Sequence, residues 1–201
     1  MINPSTDRIT DMDNDLREVS FTEMKHGSKE EYEFLTPLFQ EHQRQTLADE
    51  VLAMLMKLQG PKLGYKVDRY EHSLQSATRA LRDGADDELV VCALLHDIGD
   101  SIAPDNHSQL AAAVLKPYVS DKNHWIIRHH GVFQGYYYFH HMGQDQNARD
   151  QFKDHEHYQA CADFCENYDQ NCFDPDYDTE PLATFEPMVR ALFGKQPVEY
   201  V

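Results

Sequence analysis

The stretch VVCALLHDIGDS, residues 90–101, decides how the chain reads. Its apolar run from Val90 to Leu95 is the core of a helix, and it leads straight into His96 and Asp97. Burying an imidazole and a carboxylate side by side costs free energy unless each finds compensation. Either the two satisfy one another, or a cation is bound there. The remaining helices decide between these alternatives by what they bring to the same point.

On both sides of this stretch the chain reads as helix. Upstream, RYEHSLQSATRALRDG predicts a helix from about 69 to 83, stopped by Gly84. Acidic residues at 86–88 suit the first turn of the helix that follows. Downstream, PDNHSQLAAAVLKPYV predicts a helix capped near Asp105 or Asn106 and ended before Pro117. SDKNHWIIRHHG predicts another, with Ser120 as N-cap and Gly131 as the residue past its end. DHEHYQACADFCENYDQN reads as a further core helix, and PLATFEPMVRALFG as a last one, broken near Pro187. Nearer the N-terminus, residues 30–40 read as a short helix. Leu47, Val51, Leu52, Leu55 and Leu58 mark a second, ended by Gly60-Pro61. No strand period and no repeat appears. The expected architecture is all-α: a polar arm over residues 1–28 and a single helical domain over 29–201.

The charge balance, 35 acidic against 18 basic residues for a net −17, excludes a surface that tracks nucleic-acid phosphates or anionic lipid. No apolar run reaches the ~18 residues of a membrane span. The start lacks the basic and apolar segments of a secretory signal. Cys92, Cys161, Cys165 and Cys172 form no CxxC pair and read as reduced core thiols. A cytoplasmic location is expected from these features.

Six side chains fall where converging helices would meet. His72 lies early on its helix, His96 and Asp97 close the next, and His107 opens the third. His130 shares a face with Ile126 and Ile127, and Asp169 follows Cys165 by four residues. His129 is the rival of His130, because register alone does not separate neighbours. Four imidazoles and two carboxylates suit a borderline first-row metal such as iron, manganese or zinc. With two oxygens, Asp97 is able to bridge two ions.

The run of motifs EHSLQSA, ALLHDIGD, NH, RHHG and NYD resembles the HD-domain superfamily. Their spacing is 24 residues from His72 to His96, 10 from Asp97 to His107, 23 to His130 and 39 to Asp169. That spacing resembles the six-ligand, two-metal branch, over about residues 65–195. The resemblance implies an HD-domain helical bundle with a two-metal centre in its core. EHSLQSA is similar to the bacterial phosphonate-cleaving oxygenases. IIRHHGVF, FCENYDQNCFDP and LATFEPMV are similar to the myo-inositol oxygenases. By that likeness His72, His96, Asp97, His107, His130 and Asp169 hold two iron ions, Fe2+ and Fe3+, with Asp97 bridging. The partners so implied are dioxygen and a small-molecule substrate.

Several positions depart from those relatives. Inositol oxygenases carry Lys where Asp100 and Phe173 stand and Ser where Gly131 stands, which points away from inositol. Phosphonate oxygenases carry His at Asp100, so an anionic head group loses one holder. Asp100, Arg128, Tyr65, Tyr136 and Tyr137 are the substrate-contact candidates. Asp100 and the aromatic faces suit a cationic amine. Tyr138 and Phe139 belong to the same aromatic run. The competing reading is a manganese- or zinc-dependent HD phosphohydrolase acting on a nucleotide or other phosphate ester. It requires cations near the metal, and the region offers few, with Arg69 and Arg128 the best placed. A non-enzymatic metal-binding module is the third reading. No catalytic residue beyond the metal centre is expected.

Overall fold

A computed structural model describes residues 18–198. The chain divides into two compact units, Met1–Gln43 and Arg44–Val201, the division falling inside its first long helix. Of the arm expected over residues 1–28, residues 1–17 lie outside the described residues.

In the first unit a 3-10 turn, Met24–His26, precedes α1 (Lys29–Met56). Ser28 and Glu31 start this helix reciprocally. Ser28 Oγ accepts the Glu31 N–H at 3.3 Å, and the Glu31 carboxylate accepts the N–H groups of Ser28 and Ser20 at 2.9 and 2.6 Å. The sequence suggests two helices here, over 30–40 and near 47–58, but one helix runs through. The residues between, Glu41 to Thr46, include no breaker, and Pro37 lies inside the helix without ending it.

The second unit contains α2 (Arg69–Arg82), α3 (Asp87–Leu95), α4 (His107–Leu115), α5 (Asp121–Gln134), α6 (Tyr158–Phe164) and α7 (Leu182–Phe193). No strand occurs among the described residues, in line with the all-α bundle. The caps follow from the sequence. Asp68 accepts the Glu71 N–H and Asp86 the Leu89 N–H, both at 2.8 Å, and Ser120 accepts that of Asn123 at 3.3 Å. Gly84, at φ 77°, takes the left-handed conformation after α2. Asp68→Ala is expected to cost about 1 kcal/mol of stability, read as a lower midpoint in urea. The first turn of α2, which carries His72, should fray in hydrogen exchange.

α3 is the axis of this core. Val90 to Leu95 are all fully buried, and the helix packs against α2, α5 and α7. Its C-terminal end therefore opens inside protein, which is why His96 and Asp97 are buried. α5 packs against α4 and α6 and brings His130 in from the other direction.

Two further expectations are corrected. Gly131 does not lie past the end of α5; the helix continues to Gln134. A Cβ at Gly131 would stand 2.8 Å from Ser108 Oγ, so the glycine serves a close crossing of α4 and α5. The last helix runs through Pro187 without a break. All four cysteines are buried and free. No helix among the described residues is long and apolar enough to cross a membrane.

Candidate metal centre

Each of the four imidazoles is oriented by a carbonyl. Nδ1 faces the carbonyl of Cys172 in His72 (3.0 Å), of Ala93 in His96 (2.7 Å), of Pro104 in His107 (3.1 Å) and of Ile127 in His130 (2.7 Å). A carbonyl only accepts, so Nδ1 carries the hydrogen and Nε2 of each neutral ring is a lone pair. All four Nε2 atoms face the carboxylates of Asp97 and Asp169, and they form two groups.

The first group is His72, His96, Asp169 and one oxygen of Asp97. The two Nε2 atoms stand 3.1 Å apart. Asp97 Oδ2 is 3.5 Å from each, and Asp169 Oδ1 is 3.3 Å from His72 and 3.6 Å from His96. Ligand atoms roughly 2.0–2.1 Å from one tetrahedral ion lie about 3.3–3.4 Å apart, so these separations fit a single ion. The second group uses the other oxygen of Asp97: Oδ1 is 3.3 Å from Nε2 of both His107 and His130. Asp97 thus divides its two oxygens between two sets of donors.

Acceptors facing acceptors in a buried place require positive charge. Burial alone would lower the His96 pKa, but Asp97 and then Asp169 raise it to about 9. Both carboxylates are held well below the usual range: against the opposing effect of burial, His96 and His130 act on Asp97, and His72 and His96 on Asp169. Asp169 Oδ2 is buried without a hydrogen-bond partner. A donor set of imidazole nitrogens and carboxylate oxygens with an unsatisfied buried oxygen fits a metal ion. Overlapping groups of His72, His96 and Asp169, of His96, Asp97 and His130, and of Asp97, Asp100 and His107 lie close enough to hold one.

Local structure explains the convergence. Gly99 lets the turn after Asp97 press on α4; a Cβ there would lie 2.8 Å from Cα and from the carbonyl oxygen of His107. After α6 the helix widens into a π turn, Cys165–Asp169, closed by the Gln170 N–H on the Cys165 carbonyl at 3.0 Å. Such widened turns often mark functional sites, and this one ends on Asp169. Gln75 clamps the backbone of Asp174 through both its amide groups, at 2.6 and 3.3 Å. That fixes the segment whose Cys172 carbonyl orients His72.

A cavity of about 280 Å³ opens onto Asp97, His107, His130 and Asp169, not onto His72 or His96. Its walls include Tyr65, Tyr137, Tyr138 and Phe173, with Arg69, Gln134 and Gln170 as polar members. Phe173 stacks on His72 at 4.5 Å and on Tyr65 at 5.1 Å. Of the sequence candidates for substrate contact, Tyr65 and Tyr137 line the cavity. Arg128 is exposed on α5, and Tyr136 lies under Arg149; neither lines it. Asp100 does not line the cavity; its carboxylate is taken by Arg69 Nε at 3.0 Å and His107 Nδ1 at 3.3 Å. His129 donates to the Trp125 carbonyl and stacks on that indole, outside both donor groups, which separates it from His130. Gln134 and Gln170 were not among the sequence candidates. Gln134 lies four residues after His130 on α5, a signal hidden by ending that helix at Gly131.

The model of the HD domain matches residues 69–167, from the first turn of α2 into the π turn. Over that stretch, just under half of its length, the chain is similar to the HD domain, which is found in general in metal-dependent enzymes of hydrolase or phosphohydrolase type. The match stops two residues short of Asp169. No match is found among curated proteins.

Proposed function

We propose that the protein is a di-iron oxygenase that oxidises a small organic substrate with dioxygen, and that myo-inositol is not that substrate. His72, His96, Asp169 and Asp97 Oδ2 would hold one ion, and His107, His130 and Asp97 Oδ1 the other. Iron bound there supplies dioxygen binding and electron transfer. The chain itself supplies the rest. The carbonyls at Nδ1 fix the imidazoles. The stack of Tyr65, Phe173 and His72 screens the first group from water. The cavity delivers a compact substrate to the side of His107 and His130.

One observation carries the choice of chemistry. Among the described residues, Arg69 is the one cationic side chain of Lys or Arg type lining the cavity, and it is committed: Nε to Asp100 at 3.0 Å and Nη1 3.6 Å from Asp97 Oδ2. A phosphate ester would find no uncommitted arginine or lysine there and would have only the metal ions to meet the charge of its transition state. The second reading, a zinc- or manganese-dependent phosphohydrolase, draws support from the HD match itself.

Iron counted per chain after anaerobic purification, with low-temperature EPR of the partly oxidised protein, tests the proposal. The expected result is two irons and the signal of a coupled Fe(II)/Fe(III) pair. Zinc or manganese in their place, with phosphatase activity and no such signal, selects the hydrolase.

A further inference from the structure

Phe173 lines the cavity, and its neighbours hold it there. Its ring stacks on His72 at 4.5 Å and on Tyr65 at 5.1 Å, with interplanar angles of 28° and 23°. The residues on either side are tied down. The Cys172 carbonyl faces His72 Nδ1 at 3.0 Å, and Gln75 holds the backbone of Asp174. The ring is thus a preformed part of the wall, and a ligand that packs on it does not have to order it.

The polar groups of the same wall are spent within the protein. The Tyr137 hydroxyl donates to Glu166, the Gln170 amide to the Glu166 carbonyl at 3.2 Å, and the Gln134 amide to Asp169 at 3.0 Å. The carboxylates of Asp97 and Asp169 belong to the two metal positions. Tyr65 and Tyr138 are 53% and 44% exposed, which puts them at the mouth.

Both features that suggest a cationic amine have other partners. Asp100 is taken by Arg69 and His107. The guanidinium carbon of Arg69 lies 5.1 Å from the centre of the Tyr65 ring and 5.9 Å from that of Phe173, so these rings already have a cation beside them. An ammonium group on this wall would lose its water and meet the charge of Arg69. A hydrocarbon group has no such cost and gains from leaving water.

We infer that Phe173 is a specificity-determining residue, and that the substrate lays an uncharged hydrocarbon portion on it while its polar end turns to the metal position at His107 and His130. This rests on the cavity being the substrate site, as proposed above, but not on the metal being iron or the reaction an oxygenation.

Acetate, propionate and butyrate share a carboxylate that ligates metal and differ only in the tail, so they probe the wall on the metal-loaded protein by titration calorimetry. Affinity in the native chain should rise about fourfold with each methylene, the equivalent of ~0.8 kcal/mol. 3-Aminopropanoate, which puts an ammonium where butyrate has its methyl, should bind at least about tenfold more weakly than butyrate. Phe173→Asn should bring the increment per methylene below about twofold, and Phe173→Leu should keep most of it. An increment absent from the native chain overturns the inference, as does 3-aminopropanoate bound as tightly as butyrate, or an increment unchanged in Phe173→Asn. The first two results need no variant, so the inference stays open to refutation if Phe173→Asn does not fold. Zinc or manganese in place of iron, with the increment intact, would sink the oxygenase reading and leave this one standing. Two irons with the coupled signal and no increment would do the reverse.

Discussion

Asp97→Asn is expected to empty the centre of metal. The substitution keeps the size of the side chain but removes its charge and replaces one ligand oxygen with an amide nitrogen that does not ligate. Because Asp97 Oδ1 faces His107 and His130 while Oδ2 faces His72 and His96, one change damages both groups. Loss of a residue that merely orients a ligand lowers metal affinity 10–100-fold, and loss of a shared ligand should exceed that at both positions. Metal analysis after gel filtration should find two ions per chain in the native protein and none retained in the variant. Retention of both ions would show that the two groups are independent of Asp97.

Gly99→Ala should have the second large effect, by a different route. The new Cβ would lie 2.8 Å from backbone atoms of His107, which a rotamer change does not relieve. The turn after Asp97 and the start of α4 must move apart. The expected cost is about 1–3 kcal/mol, as for other overpacked sites, read in urea unfolding. The metal readout separates this from general destabilisation. His107 belongs to the second group only, so the variant should keep the ion held by His72, His96 and Asp169 and lose the other.

Much of the site was legible because burial and chemistry conflict in the sequence. An apolar helix that ends in His96 and Asp97 demands compensation, and helix spacing placed His72, His107 and His130 within reach of it. The caps at Asp68, Asp86 and Ser120 were legible for the same local reason. What escaped depends on contacts distant in sequence. Gly131 resembles a helix stop, yet it is glycine because Ser108 of α4 lies against it, and that misreading hid Gln134. The π turn that carries Asp169 has no residue pattern of its own. Asp100 stood out by type, but its role depends on Arg69, 31 positions earlier, and on the back of the His107 ring. A carboxylate engaged on both oxygens orients a ligand and steadies an arginine, and the substrate-facing chemistry passes to residues that line the cavity.

The most direct test of the two-group centre is anomalous scattering at the iron edge from crystals of the iron-loaded protein. The arrangement described here predicts two peaks in each chain. One should lie among His72, His96, Asp97 and Asp169, and the other among Asp97, His107 and His130, with Asp97 touching both. A single peak, or a second peak away from His107 and His130, would contradict it.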